Sequence, residues 1–376
     1  MSRGALISDP RPLNGLRVCY FGRYDPHSSR NLVIAKSLAR AGAEVLRIRD
    51  DRPLPIRTPS LLRRAWNTAF DAVIVGFRAH SDMLAARLVA RTHHVPLIFD
   101  PLTSRYEERV IDRQQVRAGS WLSRWYEMTD AAGCRAADRL LLETDAQIAY
   151  FVDTFAVPRA RCRRLWLGAD DDIMRPLPAA HHDVFTVFFY GRFSPLHGVE
   201  HIVRAASHLE RRREAVRFVL VGAGQTYQMA RRLADELGVS TIRFLDPVPY
   251  PRLAAMMGEA DVCLGSFGTT ARAQRVIPNK VFDALAVERA VVTGDSPASR
   301  EILVHGHNAW LCPCGNGEAL ADSLVQLKRD PDVRAAIARR GHELFIEHFS
   351  LEAMTRAVAT IVGELVRGHG APALSR

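Results

Sequence analysis

Short apolar or β-branched runs alternate with helix-length amphipathic segments from Leu16 to about Phe349. Before residue 171 the predicted strands are Leu16–Phe21, Glu44–Ile48, Ala72–Phe77, Val95–Phe99 and Arg139–Glu143. Helices are predicted over Asn31–Ala41, Ser81–Thr92, a long stretch within Tyr106–Ala132, and Asp145–Phe155. Later strands are Phe185–Tyr190, Arg217–Val221, Thr241–Leu245, Asp261–Ser266, Ala290–Thr293 and Ala309–Cys312. Their helices are Val199–Leu209, Gln225–Leu237, Tyr250–Gly258, Pro278–Ala286, Glu318–Arg329 and Val333–Glu347. Such alternation implies parallel sheets covered by helices on both faces. The nearly continuous apolar character of the strands fits burial on both faces.

The pattern restarts near Val184, after a polar, Pro-bearing stretch from Gly168 to His182. The expected fold class is therefore α/β, with two doubly wound Rossmann-like domains facing a cleft. Residues 1–170 form the first domain and 171–350 the second. Residues 351–376 contribute a C-terminal helix expected to pack back toward the first. Ligands of such sheets bind outside the carboxyl ends of the strands, so the loops there are where chemistry is expected.

Hydrophobic residues make up 48% of the 376 and charged residues 24%. That composition excludes a disordered chain. No apolar run approaches the ~18–20 residues of a spanning helix. The opening MSRGALISDPRP lacks the apolar core of a secretory signal. A cytoplasmic protein is the expectation. The six cysteines are scattered, as reduced and buried thiols would be. Cys312-Pro-Cys314 has no second Cys/His pair to complete a metal site, so no metal is predicted.

The net charge of +10 is uneven: 27 Lys and Arg face 18 Asp and Glu before residue 171, against 24 and 23 afterwards. A basic first half suits an anionic partner. A plain compositional preference for arginine explains it equally, since only Lys36, Lys280 and Lys328 are lysines.

Several loops carry chemical potential. The run from Gly191 to Gly198 includes Arg192 and His197 and leads into a helix, an arrangement suited to phosphate. Gly222-Ala-Gly224 follows another strand. It opens like a dinucleotide fingerprint but has Tyr227 where the third glycine would stand, a weak signal alone. Pro278-Asn279-Lys280 begins a helix, where the dipole disfavours a cation by ~0.3–1 kcal/mol, so a bound anion would explain Lys280. Asp283, one turn later, suits a vicinal diol such as ribose, or else pairs with a nearby arginine. His80 lies just past a strand end, in the expected cleft. GxSxG, HExxH, GxxxxGK[ST] and paired CxxC motifs are absent.

Together these segments resemble the GT-B glycosyltransferases, in particular the retaining family 4 (group 1) enzymes of the bacterial surface-polysaccharide type. Gly191-Arg192 through His197-Gly198 resembles the donor-diphosphate loop. Phe218–Gly224 resembles the "LVGxG" strand and loop, and Ile242 through Val248-Pro249 the "FxGxVP" turn against the nucleotide base. Phe282–Ala286 through Ala290–Thr293 resembles "LEAMAxGxPVVAT", followed by a glutamate like Glu301. Trp166–Asp170 resembles the "xxGVD" hinge. Three departures stand out: His197 replaces the loop lysine, Arg275 replaces the first glutamate of Glu-x7-Glu, and Asp283 the second. The Pro278-Asn279-Lys280 stretch resembles the "P-x-K" of some polysaccharide enzymes, which makes Lys280 the substitute cation.

The resemblance implies transfer of a sugar from a nucleotide-sugar donor to a hydroxyl of a glycan or lipid-linked acceptor, with retention. Arg192 and Lys280 would stabilise the departing diphosphate, and His80 would lie near the donor sugar. Gly191, His197, Gly198, Gly222, Gly224, Val248, Asn279, Asp283 and Glu301 would bind the donor. No cofactor and no obligatory metal are implied. Within 105–130, Arg113, Arg117 and Arg124 mix with Trp121, Trp125 and Tyr126, which suits either peripheral contact with an anionic inner leaflet or a helix packing its tryptophans inward. A GT-B nucleotide-sugar epimerase and a non-catalytic basic nucleic-acid-binding protein are the alternatives. No nucleic-acid-binding signature supports the second.

Overall fold

The computed structural model describes residues 11–177 and 184–370. In the first half the order is β1 (Arg17–Phe21), α1 (Ser29–Arg40), β2 (Glu44–Ile48), α2 (Leu54–Trp66), β3 (Ala72–Val75), α3 (Met83–Thr92) and β4 (Leu97–Phe99). Then come α4 (Trp121–Ala136), β5 (Arg139–Leu142), α5 (Asp145–Phe155) and β6 (Cys162–Arg164). The second half runs β7 (Phe185–Phe193), α6 (Val199–Arg211), β8 (Val216–Gly224), α7 (Tyr227–Glu236), β9 (Ile242–Leu245), α8 (Tyr250–Gly258) and β10 (Val262–Leu264). It continues with α9 (Asn279–Ala286), β11 (Ala290–Asp295), β12 (Trp310–Pro313), α10 (Gly317–Arg329), α11 (Pro331–His348) and α12 (Leu351–Gly370).

Each half forms a six-stranded parallel sheet, in the orders β2-β1-β3-β4-β5-β6 and β12-β11-β10-β7-β8-β9. Strand order reverses between β1 and β3 in one sheet and between β7 and β10 in the other. Loops diverge at these reversals and leave a crevice beyond the strand ends. One apolar core spans the first sheet and its helices. Two more lie on the faces of the second. Val73, Val75 and Leu97 are fully buried, so these strands serve core burial on both faces.

Three elements differ from sequence expectation. Helix α2 was not predicted, because Pro53, Pro55 and Pro59 crowd it. Pro59 removes one intrahelical hydrogen bond, but fully buried Leu61 and Ala65 anchor the segment. Edge strand β6 has no apolar run to announce it. The long helix expected within 106–132 is split into a π-helical turn, Glu107–Asp112, and α4, with Gln114 (φ 49°) and Gly119 (φ 77°) between them.

After α11 the chain crosses back to the first half. Leu351, Met354, Val358 and Val362 of α12 join the core that contains Val33 and Ile34 of α1. The outgoing crossing meets the returning one at Gly168 (φ 65°), where a Cβ would lie 2.8 Å from the Phe349 carbonyl oxygen. Residues 1–10, 178–183 and 371–376, covered by the domain and linker readings above, lie outside the described residues. Among the described residues no helix is long and apolar enough to cross a membrane.

Candidate active site

Strands β7 and β8 run beyond their predicted ends, so their glycines are paired strand termini. Gly191 faces Gly222 and Phe193 faces Gly224. A Cβ on Gly222 (φ 137°) would lie 2.0 Å from the Gly191 carbonyl oxygen. Only glycine lets the two backbones approach so closely. Their ends border a cavity of about 610 Å³, lined by Gly191, Arg192, His197, Gly222, Val248, Asn279 and Lys280, among others. That volume suits a cofactor- or nucleotide-sized ligand. Loops after β7, β9 and β10 and the end of β8 itself contribute to the lining, as expected of a crevice at a strand-order reversal.

Lys280 is 4% exposed on the first turn of α9. Its Nζ sits 4.8 Å from the Phe189 ring centre and makes no ion pair or hydrogen bond among the described residues. Burial lowers its amine to about 7, countered only by the charge of Asp283. His197 cannot replace it as a fixed cation. Its Nδ1 donates to the Arg192 carbonyl, and burial together with the Lys280 charge holds the ring well below its ordinary pKa. Arg192 is exposed, and its guanidinium has no partner among the described residues.

Four expected donor contacts are placed elsewhere. Asp283 is fully buried and accepts hydrogen bonds from Tyr190 and, at 2.5 Å, Tyr250. Burial outweighs those bonds and lifts its carboxyl to about 6. Its carboxylate oxygens are engaged by those two tyrosines, and it is not among the residues that line the cavity. Glu301 accepts from the Asp145 and Ala146 amides at 2.8 and 3.0 Å, capping α5 of the opposite half. Gly198 (φ 59°) gives its amide to the Pro195 carbonyl, and a Cβ there would lie 2.6 Å from Phe267 backbone. Gly224 is absent from the lining and serves the β7–β8 approach.

A second cavity, about 540 Å³, opens beyond the ends of β1 and β3. Arg113 and Arg192 line both cavities, which joins them across the cleft. His80 belongs to the second. It is 3% exposed, its Nε2 donates to the Thr103 carbonyl at 2.8 Å, and its buried Nδ1 has no partner among the described residues. Burial keeps the ring pKa below the usual histidine range, so Nδ1 is a lone-pair acceptor. Trp125 and Tyr126 also line this cavity and bracket Arg105, at 5.0 and 5.3 Å, whereas Trp121 is 79% exposed. The aromatic stretch thus divides between cavity wall and outer surface.

Cross-cleft pairs hold the halves together. Arg275, at the position where the resemblance expects glutamate, pairs with Glu107 and lies 4.2 Å over the Tyr150 ring. Arg272 lines the first cavity and pairs with Asp112 at 3.2 Å. Sequence reading missed Arg272 and gave Arg113 only a surface role. Nothing in their local pattern marks them, because their placement depends on how the π-helical turn meets the second half. All six cysteines are free, and no group of three or more metal-binding side chains occurs among the described residues.

Residues 184–330, which carry the first cavity, match the family model described as "Glycosyl transferases group 1". Residues 184–330 thus carry a group 1 glycosyl transferase domain. The chain is 28% identical over 255 residues to a D-inositol 3-phosphate glycosyltransferase of Mycolicibacterium paratuberculosis, covering 62% of this chain and 54% of that protein. It is 25% identical over 328 residues to a phosphatidyl-myo-inositol mannosyltransferase of Mycolicibacterium smegmatis, covering 85% and 71%. It is 29% identical over 180 residues to the lipopolysaccharide core biosynthesis glycosyltransferase LpsE of Rhizobium meliloti, covering 46% and 48%. The chain therefore spans about half the length of the first and third of these relatives. Among solved structures, HepE of Anabaena in complex with UDP-glucose superposes with a TM-score of 0.74 at 14% identity, covering 93% of this chain and all of HepE. The two sheets, the second of them within residues 184–330, have the arrangement of the GT-B fold.

Proposed function

We propose that the protein transfers a sugar from a nucleotide-sugar donor to a hydroxyl acceptor, with retention, in polysaccharide or glycolipid assembly. The observation that carries this reading is the buried Lys280, without ion pair or hydrogen bond among the described residues, beside exposed Arg192 in the cavity of the group 1 domain. Both cations face the space a diphosphate would occupy. Relatives named as glycosyltransferases and the UDP-glucose complex of HepE support it. The second cavity supports transfer over epimerisation, which needs no acceptor.

Loss of the diphosphate from the anomeric carbon builds negative charge on the leaving phosphate and positive charge on the sugar. Preorganised cations and amides at the phosphate stabilise that separation most. As the C1–O bond to phosphate breaks, the acceptor oxygen bonds C1 from the same face. Its proton passes to the leaving phosphate oxygen. Glu301, Arg272 and Arg275 bridge the halves across the cleft, and closure of such a cleft around the donor would limit its hydrolysis.

A melting-temperature screen of nucleotide sugars tests the reading, since a ligand raises stability by RT ln(1 + [L]/Kd). At least one nucleotide sugar is expected to raise the melting temperature; no shift with any would sink the proposal. We further propose that no metal is obligatory. A chelator should leave turnover within about twofold of its untreated value. Complete loss, restored by magnesium or manganese, would overturn that reading. Exposed Leu84 and Leu88 of α3, and Trp121 with Met128 of α4, lie on the basic half, which supports peripheral contact with an anionic leaflet at the cytoplasmic face.

A further inference from the structure

The second cavity holds more positive charge than the fold neutralises. Eight of its lining residues are arginines and three are acids. Four arginines are committed within the protein: Arg49 to Asp51 at 2.5 Å, Arg57 to Asp82 at 2.8 Å, Arg105 to Asp130 at 3.5 Å and Arg113 to Glu108 at 2.8 Å. The guanidinium groups of the other four, Arg23, Arg78, Arg109 and Arg192, make no hydrogen bond and no ion pair among the described residues.

Arg78 adds a conformational observation. Its backbone is left-handed, at φ 80°. A long side chain holds that geometry only against a steric penalty, and such outliers gather where a ligand is gripped. The turn that imposes it, closed by the Ala79 amide to the Gly76 carbonyl at 3.1 Å, carries Arg78 past the end of β3 into the cavity. Burial and then the charge of Arg192 lower the Arg78 pKa. Glu108 and Asp25 raise it, and Arg78 and Arg192, from opposite halves, line the same cavity.

We propose that the second cavity binds the acceptor by a phosphate group, held by Arg78 and Arg109 with Arg23 beside them. Arg192 and Lys280 are left to the donor diphosphate. The unpartnered Nδ1 of His80 accepts a hydrogen bond from a hydroxyl of the same acceptor. Three unpaired guanidinium groups match the several oxygens and the double charge of a phosphate better than they match one carboxylate. The acceptor class is therefore a phosphorylated sugar or polyol, free in solution or attached to a lipid. The inference rests on the glycosyl-transfer reading for the word acceptor, but the binding site stands on its own geometry.

The test uses the full chain, saturated with whichever nucleoside diphosphate gives the largest melting shift. Inorganic phosphate and glucose 6-phosphate are titrated, with glucose as the neutral control. Phosphatidylcholine vesicles with and without polyprenyl phosphate are compared by flotation. At least one phosphorylated probe should bind, and its neutral counterpart should not. Arg78→Gly keeps the left-handed turn without strain, so its loss of binding is not misfolding. Arg78→Gly and Arg109→Met should each weaken phosphate binding by at least about tenfold, with nucleoside diphosphate affinity unchanged within about twofold. Binding of glucose 6-phosphate assigns a soluble acceptor; binding confined to polyprenyl phosphate vesicles assigns a lipid-borne one. The proposal falls if neutral and phosphorylated probes bind alike, or if both variants bind phosphate as the natural protein does. If no nucleotide shifts the melting temperature, glycosyl transfer fails. The phosphate titration is then read on the unliganded protein, and the site stands or falls by the same two variants.

Discussion

Arg192→Ala should lower turnover roughly 30- to 1000-fold, the loss of ~2–4 kcal/mol of transition-state stabilisation. The side chain is exposed, lines both cavities and has no partner among the described residues. Its removal uncovers no core and orphans no buried charge, so the melting temperature should stay within about 1 °C or 2 °C of the natural protein. Arg192→Lys should recover only part of the rate, because a point charge does not reproduce the planar fork that spans two phosphate oxygens. Steady-state kinetics and melting on the same preparations decide the matter. Unchanged turnover with an intact fold would remove Arg192 from the mechanism.

For Lys280→Met, affinity and stability should move in opposite directions. Donor affinity and turnover should fall by at least about tenfold, ~1.4 kcal/mol. Thermal stability should rise, because burial opposes a charge that no ion pair offsets. The sign follows from linkage. The amine titrates near 7 in the folded protein against 10.5 unfolded. Below about pH 7 the folded chain carries the buried charge, and the penalty is complete. As pH rises from about 7 toward 10.5 the unfolded chain holds a proton the native chain has released, so the natural protein regains stability. The advantage of the methionine variant should therefore be largest near pH 6 and shrink through pH 9, on the order of that titration window. A bound diphosphate supplies the missing counter-charge and raises the amine pKa, so binding above about pH 7 takes up a proton. The Kd for a nucleoside diphosphate should rise with pH by up to about tenfold per unit, and the variant should lose that slope. Should the variant melt lower and turn over normally, Lys280 is structural and the donor site must be drawn without it.

Much of this architecture was legible because continuous apolar runs and helical periodicity report burial directly. Val73, Val75 and Leu97 are core residues in any fold that buries β3 and β4 on both faces. Where local propensity and tertiary burial disagreed, burial prevailed: α2 forms despite Pro59 because Leu61 and Ala65 have a core to enter. The glycines of the donor loop were legible as a run suited to phosphate, but not as partners of each other. That relation needs the β7–β8 register.

The sequence by itself determined the two-sheet plan, the loops around the first cavity and the oddity of a lysine on the first turn of α9. The first follows from the order of segments along the chain, the other two from spacing within a single segment. Only the tertiary structure decided that Asp283 serves two tyrosines, that Glu301 caps α5 across the cleft, and that Arg78 and Arg109 converge on one cavity. Each of those relations joins residues far apart in the chain. A carboxylate or guanidinium carries no mark in its local pattern of which distant backbone or charge the fold will bring to it. Partner choice for a buried charge is settled by desolvation, which exists only once the surrounding elements have packed.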